Sequence, residues 1–235
     1  TDGTVVGYTR ADDGTVTSVE ITRNGDVQST LTRGADGKWT ETTSGDSKGW
    51  TSVEVKADGS IVRLGTDYSG TIERPDGVIG TVDVNGWVTI PGEALEAQRA
   101  RVDQLLGRML SPEAKERVDF FMDEFKWNAL KKKLSDEEVA STYYQIERIL
   151  TANDSMFAQS ERLLLAQQFL LKANDPATIN QGRFNTCNVT ADLEHRFVQL
   201  NPSDAARVVA DIVESGRTIT ADGTIIDMTV MRNTL

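Results

Sequence analysis

Two hydrophobic periods divide this chain. Up to about residue 92, apolar and polar residues alternate over short runs, as in Val16-Thr17-Ser18-Val19-Glu20-Ile21 and Trp50-Thr51-Ser52-Val53-Glu54-Val55. That is the period of half-buried β-strands. Between the runs recur Asp2-Gly3, Asp13-Gly14, Asn24-Gly25, Asp36-Gly37, Asp58-Gly59, Asp76-Gly77 and Asn85-Gly86, the first four intervals being 11, 11, 12 and 22 residues. Asn-Gly and Asp-Gly supply the positive-φ positions of tight hairpin turns. The expectation is an antiparallel β-meander of about 11-residue repeats over residues 1–92.

After Pro91-Gly92 the period lengthens to about 3.6. A first helix runs from Glu93 to about Leu110, and Ser111-Pro112-Glu113 opens a second that puts Val118, Phe121, Met122, Phe125 and Ala129 on one face. Ser135-Asp136-Glu137-Glu138 is a capping box leading into Val139, Tyr143, Ile146 and Leu150, and a fourth helix carries Leu163, Ala166, Leu170 and Ala173. Residues 93–175 therefore read as a helical bundle. The segment Thr151 to Arg162 has acidic and amide residues but lacks the central glycine of a calcium loop, and reads as an interhelical turn. Residues 176–235 read as a loop, a helix through Leu193, Phe197 and Leu200, a helix burying Ala205, Val209 and Ile212, and a terminal β-hairpin at Asp222-Gly223. The fold class is α+β.

Composition sharpens the division. Residues 1–92 contain no Phe, Met, Cys or His and are rich in Thr, Gly, Asp and Val, whereas the remainder is rich in Ala, Leu, Glu and Arg. A net charge of −11 argues against a nucleic-acid partner, which needs clustered Lys and Arg. The run Lys131-Lys132-Lys133 sits at a helix C-terminus, where cations suit the dipole. No apolar run approaches the ~20 residues of a membrane span. One cysteine excludes an internal disulfide and a Cys-rich metal site, and no cofactor or metal is expected. The absence of a starting methionine suggests a leader or longer N-terminal part removed upstream of Thr1. Trp39 and Trp50, one repeat apart, are expected to share a face and supply core, with a stacking platform for sugar as the alternative.

The candidate chemistry lies in Gln181-Gly182-Arg183-Phe184-Asn185-Thr186-Cys187, where the only cysteine follows a glutamine by six residues at the expected start of a helix. Free amides and the helix dipole lower a thiol pKa there, and the same amides with the Gln181 side chain would hold an acyl-transfer oxyanion. The only histidine, His195, is eight residues further along the same helix, about 12 Å of rise away, and reads as a surface residue. No base for Cys187 is present.

The Gln-x5-Cys spacing resembles the N-terminal half of a papain-like cysteine peptidase, and the repeats resemble the Asp-Gly and Thr-rich β-repeats of bacterial surface or RHS-like proteins. The first resemblance implies Cys187 as nucleophile and Gln181 as oxyanion donor, with the histidine supplied by a downstream segment or another chain. Two functions are therefore expected as alternatives. One is the incomplete nucleophile half of a hydrolase of peptide or amide bonds, in a secreted or cell-surface protein with protein or peptide partners. The other is a non-enzymatic structural or interaction module.

Overall fold

The computed structural model describes residues 4–12, 15–43, 50–56, 59–152, 155, 157–175, 197–219 and 224–229. The chain forms two compact units, Thr1–Thr89 and Ile90–Leu235. It is α+β, with an antiparallel β-meander first, helices after it and a strand hairpin toward the C-terminus.

In the first unit, β1 (Thr4–Arg10), β2 (Val16–Arg23), β3 (Asp26–Arg33) and β4 (Trp39–Thr43) pair in chain order as one antiparallel sheet. A second sheet follows the same order through β5 (Ser52–Val55), β6 (Ile61–Leu64), β7 (Gly70–Glu73), β8 (Ile79–Val82) and β9 (Val88–Thr89). The meander is thus interrupted once, and β4 and β5 become edge strands of different sheets. Burial explains the interruption. The register sets Tyr8 opposite Val19 and Val19 opposite Leu31 on one face of the first sheet. Val19, Ile21 and Leu31 then form one core cluster with Ile61 of the second sheet, flanked by Val6, Trp39, Val53 and Val55. A lone thin sheet would leave that face wet, whereas two layers bury it. The Tyr8 hydroxyl ties the layers by donating to the Gly59 carbonyl at 3.1 Å.

The turns follow the Asx-Gly pattern with one change of type. Asn24 and Gly25 both have positive φ (54° and 90°), the two-residue turn expected of Asn-Gly. At Gly37, Gly77 and Gly86 the glycine alone is left-handed. At the first two the preceding aspartate accepts from the amide two residues on, Asp36 from Lys38 N (3.1 Å) and Asp76 from Val78 N (3.2 Å), and at Gly86 it is Asp83 that accepts from Asn85 N and Trp87 N, both at 2.8 Å. Such Asx bonding stabilises a type I turn closed by a left-handed residue. Asp67-Tyr68 builds the same turn without glycine: Asp67 accepts from Ser69 N at 3.1 Å, and Tyr68 takes the left-handed position at φ 64°.

The second unit is helical, with α1 (Leu95–Met109), α2 (Pro112–Lys131), α3 (Asp136–Thr151), α4 (Gln159–Asn174) and α5 (Pro202–Ser215), then the hairpin strands β10 (Arg217–Ile219) and β11 (Ile225–Asp227). The caps read from sequence are present: Ser111 accepts from Ala114 N, and Ser135 from Glu138 N. Helix α3 is central, packing against α1, α4 and α5. Its Tyr143 is fully buried, stacks edge-on against Phe125 with ring centroids 5.7 Å apart, and donates to the Met122 carbonyl at 3.0 Å. Of the expected interior, Val118, Phe125, Tyr143, Ile146 and Leu170 are buried, while Phe121 and Leu163 are half-buried. On α5 Ala205 is buried as expected, together with Ala206, Ala210 and Val213, whereas Val209 and Ile212 are half-buried. The small alanines allow close approach to α3, and close approach is what ridges-into-grooves packing selects. Leu200, expected on a buried stripe, is 56% exposed. The lysine run is absorbed locally: Lys131 Nζ sits 5.3 Å from the Trp127 ring centroid, and Lys132 Nζ donates to the Ala173 carbonyl of α4.

Candidate functional site

Gln181 and Cys187, the expected oxyanion donor and nucleophile, lie outside the described residues, as does His195. The described residues build a different site, wholly within the first unit. Where β4 and β5 diverge as edge strands, a cleft of about 900 Å³ opens. Its volume is at the upper end of the roughly 300–1,000 Å³ typical of ligand pockets.

The floor is charged. Glu41 of β4 faces inward because it pairs with Leu31 in the register, on the core side of the first sheet. Arg63 of β6 faces inward two residues after Ile61, on the core side of the second. Arg63 Nε lies 2.9 Å from Glu41 Oε2 and Nη2 lies 2.8 Å from Glu41 Oε1, a two-point pair between the layers. Its Nη1 donates to Glu73 Oε2 of β7 at 2.7 Å. Ser29 Oγ adds a bond to Glu41 at 2.5 Å. The side chains of Arg63, Glu41 and Glu73 are only 10%, 8% and 15% exposed, so the triad is a buried feature and not a surface ion pair.

Burial by itself pushes the Glu41 pKa up, but hydrogen bonds from Arg63 and Ser29 and the guanidinium charge outweigh it, leaving Glu41 below the ordinary glutamate value. Burial likewise disfavours the Arg63 charge, and the bonds to Glu41 and Glu73 reverse that, holding it firmly cationic. An ionised Glu41 cannot donate a proton.

The walls are aromatic and hydroxylic. Trp39 opens β4 and also packs on the core cluster, and Trp50 precedes β5; both line the cleft. Thr40, Thr51, Ser52 and Thr71 line it as well. The pairing of Trp39 and Trp50 at one place was legible one repeat apart in the sequence, but Glu41, Arg63 and Glu73 were not recognised as a site. One signal was available: Arg63 is a lone charge between aliphatic neighbours in Ile61-Val62-Arg63-Leu64. A charge inside such a run needs a buried counter-charge.

No family model, curated protein or solved structure matches this chain. Among the described residues no helix is long and apolar enough to cross a membrane, and no group of three or more His, Cys, Asp or Glu could hold a metal ion.

Proposed function

We propose that this chain is a non-enzymatic interaction module whose first unit captures a ligand in the cleft between its two sheets, with the helical unit as a second building block. The carrying observation is the placement of Trp39 and Trp50 around a floor of Glu41, Arg63 and Glu73. Concave sites with aromatic walls and a few convergent polar groups are where ligands bind. The ion pairs hold the floor rigid, which favours recognition over proton transfer. Placement outside the cell or at its surface belongs to the same proposal and is supported by the Thr- and Asp-Gly-rich repeats alone.

The test combines tryptophan emission with chromatography of the ligand. A saturable emission change on titration with cellohexaose, chitohexaose or hexalysine, lost in Trp50→Ala, is expected, with the ligand recovered at its original length. Shortened ligand, formed by wild type and not by Glu41→Gln, would show catalysis and reject the reading.

The nucleophile half of a papain-like hydrolase remains a separate proposal resting on Gln181 and Cys187. Its check is the pH dependence of alkylation by iodoacetamide: a thiolate-activated Cys187 reacts at half-maximal rate well below pH 8, an ordinary thiol near about 8.5.

A further inference from the structure

We infer that the cleft of the first unit takes a neutral oligosaccharide, a ligand class that rests on the reading of this cleft as the binding site. The floor decides against most other ligands. Lys38 and Arg63 face the carboxylates Glu41, Glu54 and Glu73 along the lining, and Lys56 pairs with Glu54 at 3.0 Å, so charges are balanced and there is no surplus of cations to draw phosphate, sulfate or uronate groups. A cation fares no better at the floor, because the point where Glu41 and Glu73 converge is already filled by the Arg63 guanidinium. A wholly apolar ligand would strip water from a charged floor and return no hydrogen bonds.

What remains is a neutral group that both donates and accepts. A guanidinium carries five N–H groups, of which one each on Nε, Nη1 and Nη2 is used on the two glutamates. Two N–H groups of Arg63 are left to donate, beside carboxylate oxygens that only accept. A hydroxyl satisfies both directions at once: it accepts from Arg63 and donates to Glu41 or Glu73. Charge assistance makes each such bond stronger than a neutral one. Ligands that present many hydroxyls on an edge and apolar C–H on a face are pyranose sugars. Trp39 and Trp50 provide the flat apolar area for such faces, and the Thr and Ser hydroxyls along β4 and β5 continue the polar side of the cleft. A volume of about 900 Å³ suits a chain of rings over a single sugar.

Isothermal titration of the full chain with cellohexaose, chitohexaose and maltohexaose tests this, with heparin hexasaccharide, hexalysine and a Gly-Ser hexapeptide as parallel probes. At least one neutral hexasaccharide should bind, with Kd changing less than about twofold between 0.05 and 0.5 M NaCl because no ion pair forms with the ligand. Trp50→Ala should weaken it about tenfold or more and Trp50→Phe should restore most of the loss. Since Trp39 also supports the core, Trp39→Ala is read only alongside its unfolding curve, and Trp50 carries the decision. If hexalysine, heparin or the Gly-Ser peptide binds in a Trp50-dependent way and the hexasaccharides do not, the ligand class is wrong while the cleft remains the binding site. If no probe binds, both fail. Hexasaccharide binding that is indifferent to Trp50→Ala and Trp39→Ala overturns the inference as well.

Discussion

Glu41 of β4 and Arg63 of β6 lock the two sheets of the first unit together through paired bonds of 2.9 and 2.8 Å, and the same guanidinium reaches Glu73 at 2.7 Å. Two β layers need a core, and this unit has a modest one centred on Val19, Ile21, Leu31 and Ile61. At one end of that core the layers are joined by charge where they could have been joined by apolar packing. Buried ion pairs of this kind add little net stability but are costly to break. A polar floor retained where apolar packing would serve is consistent with its use in recognition.

Arg63→Met should destabilise the first unit by about 3–5 kcal/mol, because it leaves Glu41 and Glu73 buried without their cation. Urea unfolding monitored by far-ultraviolet circular dichroism measures it. Replacing all three members, as Glu41→Met, Arg63→Met and Glu73→Met together, should recover most of the loss while abolishing ligand binding. A triple variant no more stable than Arg63→Met alone would show that the triad is not the source of the cost.

The pH dependence follows from the depressed Glu41. Its folded pKa lies below the ordinary value of 4.5, so its contribution is fully present above that value and is lost as pH falls from 4.5 through the folded pKa. The urea midpoint of the first unit should therefore be level with respect to this group above about pH 5 and decline below it. In Glu41→Gln the decline should be shallower. An equal slope in wild type and variant between pH 5 and 3 would assign the acid sensitivity to other carboxylates.

Tyr68 occupies, at φ 64° and 71% exposed, the turn position that glycine holds at Gly37, Gly77 and Gly86. A non-glycine residue pays roughly 1–2 kcal/mol in the left-handed region, and the exposed ring offers little packing in return. Tyr68→Gly should raise stability by about 0.5–1 kcal/mol after the entropy added to the unfolded chain is subtracted. Thermal unfolding with a higher midpoint is the expected result.

The elements were largely legible in the sequence, and their assembly only partly so. Alternation at Val16 to Ile21 and the serine caps at Ser111 and Ser135 are local signals, so β2, α2 and α3 fall where their residues place them. The split of the meander between β4 and β5 is not local: it depends on Leu31 and Ile61, 30 residues apart, needing the same core. On α5 Ala205 falls where expected, but hydropathy favours Val209 and Ile212 while packing buries the smaller Ala206 and Ala210. The charged floor is only half legible for a related reason: Arg63 in its aliphatic run calls for a counter-charge without saying which. Nothing within a single strand says that Glu41 and Arg63 face each other.

In the helical unit, Phe125 is 2% exposed against Tyr143, whereas Phe120 is 58% exposed on the same helix. Phe125→Ala should cost about 3–5 kcal/mol and Phe120→Ala less than about 0.5 kcal/mol. Chemical denaturation of the two variants checks the orientation of α2, and the reverse order would place α2 on the wrong face.

The central claim concerns where a ligand sits, and the indole N–H signals of Trp39, Trp50, Trp87 and Trp127 report it in one spectrum. Trp39 and Trp50 line the cleft, and Trp127 lies on α2 of the other unit. In a nitrogen–proton correlation spectrum of the labelled full chain titrated with the best-binding neutral hexasaccharide, the Trp39 and Trp50 indole signals should shift along one saturation curve. The Trp87 and Trp127 signals should stay in place. Movement confined to Trp87 or Trp127, with Trp39 and Trp50 unmoved at saturation, would contradict the account.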